Sequence, residues 1–432
     1  MSLSGQHHAL SPARERATLL TLGAVQFTHI LDFMIMMPLG AQLMRVFQLT
    51  PAQFTQLVAC YGLAAAVSGF LGGFYMDRFD RKRALLLLYA GFGVATLACG
   101  LAPTHHWLMA ARLAAGAFGG LAGSMVTAMV GDIIPPARRG RAMGFVSSAF
   151  PFASVMGVPA GLVLAGHFGW HAPFFMLAGC AAANLLLASV ALPHLPTAVQ
   201  GHNPRRQMQE ILSHGLHLRA FAVGTVLVMA GGVIVPFIAP SFIANVGLDE
   251  KVQLPLTYAA GGLATMFTVP AIGWLSDHMD RLQLLTWLSA AAAVVVLFLV
   301  RLGPSSVGVA AFMMALFMIT MSGRFAPAMT MVTNAVEARY RGGFMSVNAA
   351  LQQAASGCAN VLAGLFVTST AAGRLAGLPV LGYIAVGFFA LTVLCAAELR
   401  AAAPHVSTPA KGDVPPLPPV EAAAPTCSVR PS

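Results

Sequence analysis

Apolar residues run along this chain in blocks of about 20, the length an α-helix needs to cross roughly 30 Å of hydrocarbon. Short polar, charged or Pro/Gly-rich breaks separate them. Twelve blocks can be read: 17–43, 52–76, 83–102, 107–131, 142–166 and 172–193, then 219–244, 254–276, 282–302, 306–332, 343–368 and 376–397. The pattern predicts an all-α polytopic membrane protein with twelve transmembrane helices. The longest break, "PHLPTAVQGHNPRRQMQEILSHGLHLR", divides the blocks into two sets of six and holds a candidate short helix near Arg206–His214. The expected organisation is an N-terminal segment over 1–16, a six-helix bundle over 17–193, a linker over 194–218, a second bundle over 219–397 and a Pro- and Ala-rich disordered tail over 398–432. The first block is too long for a signal-peptide core and is expected to stay in the membrane.

A repeat supports the division. The break after the second block reads "GFYMDRFDRK" and the break after the eighth reads "GWLSDHMDRL". Gly73, Asp77, Asp80 and Arg81 recur as Gly273, Asp277, Asp280 and Arg281, an offset of 200. A weaker echo links "PPARRGRAMGF" after block four with "EARYRGGFMS" after block ten. Two related six-helix halves are the expected architecture.

Composition agrees, since 57% of residues are hydrophobic and only 9% are Asp, Glu, Lys or Arg, against roughly 25% charged in a soluble domain. The formal charge of +10 does not point to nucleic acid, because the basic residues cluster in alternate loops. With the amino terminus in the cytoplasm, 18 Lys and Arg fall on that side and only Arg45, Lys251, Arg301 and Arg374 on the other. This asymmetry predicts cytoplasmic termini. The cysteines include no CxxC pair and read as small packing residues.

Of 14 acidic residues, Asp32 alone falls deep within a block; of 24 basic residues, Arg112 and Arg324 do. Ionisable groups at membrane depth are costly, and so mark function by default. Asp32 stands about 15 residues, or roughly 22 Å, from the cytoplasmic end of its span, a depth that Arg112 on the fourth span can share. His29 lies one turn from Asp32.

Four features resemble the major facilitator superfamily. They are "GFYMDRFDRK", with Tyr75 for Leu and Asp80 for the second Gly of G-x-L-x-D-R-x-G-R-K; "RLAAGAFGG", carrying Arg112 and Gly116; "GVPAG", Gly157 to Gly161, with Pro159; and the second loop copy. The resemblance covers both halves, about Arg16 to Leu399, and implies two pseudo-symmetric bundles with spans one, four, seven and ten lining a central cavity. The texture is similar to that of the bacterial drug and sugar efflux branch of proton-coupled antiporters. Span five departs from that branch's G-x-x-x-G-P-x-x-G-G by one residue between Gly157 and Pro159, and His171 stands where relatives carry Arg.

By this resemblance Gly73, Asp77, Arg78, Arg81, Asp277 and Arg281 form gating loops, and Gly157, Pro159 and Gly161 let helices pack and bend. Asp32, His29, Arg112 and Arg324 become candidates for proton coupling and the substrate cavity. Asp32 has two readings, a proton carrier or a permanent ion pair with Arg112. His29 reads equally as packing or as a relay. Arg324 is expected to meet a substrate anion or a carboxylate partner, and Met34, Met36 and Met37 to line an apolar pocket. Polar residues of span eleven, Asn348, Gln352 and Gln353, read first as helix–helix bonding groups. No metal spacing, phosphate loop or nucleophile elbow is present, so no enzyme activity is expected. The expected protein is a monomeric secondary transporter in the bacterial inner membrane, its partners a small-molecule substrate, protons and lipid, with no nucleic acid. It has no cofactor and draws on the proton gradient. Export of an amphipathic compound leads; proton-coupled uptake and a non-transporting sensor or scaffold are the alternatives.

Overall fold

Helix starts and breaks follow from a few capping residues and prolines. The computed structural model describes residues 11–75, 79–193, 204–337, 340–371 and 373–408. Helix α1 (Pro12–Ile35) starts at Ser11, whose hydroxyl accepts from the Arg14 amide, with Pro12 where no helical N–H is needed. After α2 (Pro51–Tyr75), α3 (Arg81–Gly100) is capped by Asp80, which accepts from the Arg83 amide at 2.8 Å. Helices α4 (His105–Ile133), α5 (Arg138–Phe168) and α6 (Ala172–Ala191) complete the first half. The second half holds α7 (Gly215–Val246), α8 (Gln253–His278), α9 (Arg281–Leu299), α10 (Val307–Asn334), α11 (Arg341–Phe366) and α12 (Leu378–Ala402). Asp280 caps α9 as Asp80 caps α3, accepting from the Gln283 amide at 3.0 Å. The repeated aspartate of the two loops is thus a helix cap in both halves.

Proline cannot donate to the carbonyl four residues earlier, and the discontinuities fall there. Pro38 follows the end of α1 at Ile35, after which a turn leads to a short helix, Gly40–Val46. Pro159 follows the π-turn Ala153–Gly157 inside α5, Pro236 the break after Gly232 in α7, and Pro327 the break after Gly323 in α10. Block 17–43 is therefore two helical pieces.

Eleven described helices are long and apolar enough to cross a membrane by length and composition, one fewer than the twelve blocks suggest. The remaining helix, α11, has the length at 26 residues. Its Asn348, Gln352, Gln353, Ser356 and Asn360 lower its hydropathy, and α2 and α7 cover it. Block eleven also overruns the helix: Thr368 and Ser369 form β1, paired antiparallel with β2 (Leu375–Ala376). The chain then turns into α12 at Gly377, whose φ of 88° suits only glycine.

The two halves pack alike. Contacts of α1 with α6, α2 with α4, and α3 with α4 and α6 recur as α7 with α12, α8 with α10, and α9 with α10 and α12. Between the halves, α2 lies along α11 and α5 against α8, again a matched pair. Helix Pro204–Ser213, close to the expected Arg206–His214, lies in the linker; residues 194–203 are outside the described residues. The tail corrects an expectation. Rather than being disordered from 398, it continues as helix to Ala402 and stays ordered to Thr408, with Val406 and Ser407 buried. Arg281 secures it, donating from its amide to the Ser407 carbonyl at 3.0 Å and from Nη1 to the Thr408 carbonyl at 2.5 Å.

The halves meet at the face opposite the start of α1 and the end of α12. There Arg45 pairs with Glu250, Phe54 meets Phe237 with ring centroids 6.5 Å apart, and Gly40 abuts Pro240. At the face carrying the start of α1 and the end of α12, Arg81 pairs with Asp132, Arg138 with Glu15, and Arg400 with Asp280, each within one half.

Candidate coupling site

Four helices of the first half converge on one buried ion pair. Asp32 leaves α1 one turn before its end, and Arg112 enters from α4, two turns below its start. Arg112 Nη1 donates to Asp32 Oδ2 at 2.7 Å and to the Asp32 carbonyl at 3.1 Å. Both side chains are 0% exposed. From α3, Thr96 donates to Asp32 Oδ1 at 3.4 Å. From α2, the Tyr61 ring lies 4.4 Å from the guanidinium carbon, a cation–π contact in a dry setting.

The pair rests on one nitrogen. Among the described residues, Arg112 Nε and Nη2 have no hydrogen-bond partner. A two-pronged Arg–carboxylate fork is the stronger arrangement, so this one-pronged contact is easier to release.

His29 joins through tyrosine. Its Nδ1 and the Tyr61 hydroxyl share a 2.7 Å hydrogen bond, and Phe92 stands edge-on to the imidazole at 6.3 Å. Small residues of "RLAAGAFGG" make room. A Cβ on Gly119 would lie 3.0 Å from His29 Nδ1, and one on Gly116 would strike the Tyr61 backbone, with Cα at 2.8 Å. "GVPAG" does the same on the other side of α1. A Cβ on Gly157 would meet Leu31 at 2.8 Å and one on Gly161 would meet Ile35 at 2.6 Å. The turn bearing Asp32 is seated by glycines of both α4 and α5.

Beneath this site, Thr28 and the Tyr89 hydroxyl share a 2.7 Å hydrogen bond, and Asn184 donates to that hydroxyl at 3.4 Å. Sequence reasoning singled out none of Tyr61, Thr96, Tyr89 or Asn184. Their only signal was a polar atom in an apolar block.

The other candidates scatter. Arg324 lies apart on α10, at the break between Gly323 and Phe325. It is 1% exposed, with its guanidinium carbon 4.3 Å from the Phe389 ring and Nη2 3.4 Å from Met321 Sδ. Among the described residues it has no carboxylate partner. Met36 and Met37 are packed in the core rather than lining a pocket; Met34 is half-buried. Gly73 falls in the last turns of α2, while Asp77 and Arg78 lie outside the described residues. Arg81 Nε donates to Asp132 Oδ2 at 3.1 Å, tying α3 to α4. Asp277 is exposed, and Arg281 holds the tail rather than a partner in the opposite half. Among the described residues, no group of three or more His, Cys, Asp or Glu could hold a metal ion.

Two matched helical halves, the first of which encloses a buried ion pair, define an all-helical polytopic membrane protein. Residues 22–360 match the family model described as Major Facilitator Superfamily, and the chain belongs to that superfamily of secondary transporters. It is 31% identical over 170 residues to the uncharacterized MFS-type transporter YceJ of Bacillus subtilis, covering 39% of this chain and 43% of that protein. It is 30% identical over 164 residues to Multidrug resistance protein 2 of the same organism, covering 38% and 40%. These alignments span less than half of either relative. Among solved structures, a bacterial homolog of the human lysosomal transporter Spinster, inward-facing and unoccupied, superposes with a TM-score of 0.71 at 18% identity, covering 92% of this chain and 97% of that one. A D-xylose–proton symporter superposes at 0.70 with 16% identity, covering 90% and 97%. At such identities the likeness is one of fold.

Proposed function

We propose that the chain is a proton-coupled exporter of small amphipathic compounds in the bacterial inner membrane, working by alternating access with both termini cytoplasmic. The carrying observation is the Asp32–Arg112 pair, 2.7 Å long and 0% exposed, on the two helices expected to face the central cavity. A buried carboxylate is tolerated when it is neutral or paired. An inner Asp32 that exchanges Arg112 for a proton frees a buried guanidinium, which must then find water or another acceptor, and alternating access, by changing what the site meets, can bias that exchange.

With the termini in the cytoplasm, the contacts of Arg45 with Glu250 and of Phe54 with Phe237 join the halves on the outer side, as in an outward-closed state. In this state Asp32 holds the guanidinium. Rocking of the halves admits a proton from outside, and its release inside restores the pair. His29 and Tyr61 form the path along which the proton approaches. Asp77 and Arg81 act as the gate on the cytoplasmic side. Relatives named for multidrug resistance and for methylenomycin A resistance support export, while one named a vacuolar membrane amino acid uptake transporter keeps uptake as the second reading.

The test is flux of fluorescent amphipaths into everted membrane vesicles with an imposed, acid-inside pH gradient. Export predicts accumulation that collapses when a protonophore is added. Accumulation indifferent to the gradient contradicts proton coupling, and gradient-driven loss from preloaded vesicles favours uptake.

A further inference from the structure

Within the described spans, Asp32 and Arg112 neutralise each other, which leaves Arg324 as the remaining deep charge. An unpaired guanidinium in a dry interior costs several kcal/mol unless something compensates it. Here the compensation is weak: a ring face, a thioether, and nothing for Nε or Nη1, which have no hydrogen-bond partner among the described residues. Buried polar groups left without partners call for an explanation. An acceptor that comes and goes supplies one.

Placement supports a ligand rather than a fixed partner. Arg324 sits where α10 breaks, because Pro327 offers no N–H to the Gly323 carbonyl. Its neighbour Phe325 is 41% exposed, so this turn reaches the surface of the second half while the guanidinium lies one step behind it. On α11, Asn348 is 2% exposed. Counting from the shared ends of α10 and α11, Arg324 lies roughly 15 Å deep and Asn348 roughly 10 Å. Gln352 Nε2 of α11 donates to Met329 Sδ of α10 at 3.5 Å, so the two helices touch.

We propose that Arg324 binds the anionic group of the transported compound, which makes the substrate an amphipathic monoanion, a carboxylate on an apolar ring or chain. The inference rests on the transporter reading and names its substrate class. One guanidinium balances one negative charge, which favours a carboxylate over a doubly charged phosphate. Met321, Met329 and Phe389 suit the apolar remainder, since thioethers adapt to varied shapes. Asp32 and Arg324 then divide the labour, the first half carrying the proton and the second the anion.

The test uses the purified full-length protein in detergent and sodium benzoate as probe, with benzyl alcohol and benzylammonium chloride as neutral and cationic counterparts. Benzoate is expected to raise the unfolding temperature saturably, and the other two are not. Arg324→Gln should weaken benzoate binding at least about 10-fold, the value of a charged hydrogen bond. Should that variant fail to fold, Arg324→Lys keeps the charge and is expected to retain benzoate binding, and Phe389→Leu tests the ring side without touching the cation. No benzoate effect on the native protein, an equal effect of benzyl alcohol, or unchanged benzoate binding by Arg324→Gln overturns the proposal. The measurement needs no gradient. Proton-driven flux without benzoate binding removes the anion site alone, whereas Arg324-dependent binding without such flux removes the coupling reading and leaves the site.

Discussion

Arg112 commits a single nitrogen to Asp32, and Tyr61 covers the guanidinium face while its hydroxyl holds His29. Tyr61 therefore links the imidazole to the ion pair. Tyr61→Phe keeps the ring over Arg112 and removes the bond to His29. Proton-driven flux is expected to fall severalfold, and stability by about 1–2 kcal/mol, because His29 Nδ1 loses its partner in a buried site. Initial rates in everted vesicles and thermal unfolding check the two effects, and an unchanged rate would make the His29–Tyr61 bond purely structural. Asp32 and Arg112 were legible in the sequence because a charge in an apolar block has few innocent explanations. Tyr61 was not, since a tyrosine in such a block also suits packing or the membrane interface. Which way its ring faces is a matter of tertiary structure.

At the scale of elements, α4 is shaped to admit its neighbours. A methyl group on Gly116 would press on the Cα of Tyr61 at 2.8 Å and on its carbonyl, and backbone atoms have nowhere to retreat. Gly116→Ala should therefore push α2 away from α4, lower stability by about 1–3 kcal/mol, and lift the Tyr61 ring off Arg112. Gly140→Ala is the control, because nothing lies within 4 Å of its added Cβ; helix propensity should make it neutral to stabilising, by up to about 1 kcal/mol. Thermal unfolding in detergent separates the two, and equal shifts would remove close packing as the reason for Gly116. Helix positions were legible to within a few residues, and prolines 38, 159, 236 and 327 account for the breaks. Helix α11 was harder. Its amides and asparagines make it the least apolar of the twelve, and only its place between α2 and α7 explains their company. The ordered tail was also hidden, because nothing in "AAAPHVST" announces that Arg281 will collect its carbonyls.

At the scale of the molecule, the repeat at an offset of 200 foretold two like halves, and the recurrence of helix pairings between them has that origin. The repeat could not tell where the halves touch. That depends on contacts between halves, such as Arg45 with Glu250 and Gly262 against Val155, which no motif marks. The distribution of charge is likewise unequal in a way the repeat does not suggest: among the described residues the first half carries a paired Asp32 and Arg112, the second an Arg324 with no carboxylate partner. Coupling of one proton to one turn of the cycle is the central claim, and it concentrates on Asp32. The most direct measurement compares native protein with Asp32→Asn in everted vesicles, following gradient-driven flux alongside gradient-free exchange of the same probe. The account predicts that Asp32→Asn loses at least about 10-fold in gradient-driven flux, equivalent to about 1.4 kcal/mol, while exchange persists. Equal gradient-driven flux in the two proteins would contradict it and leave Asp32–Arg112 as a clasp between helices.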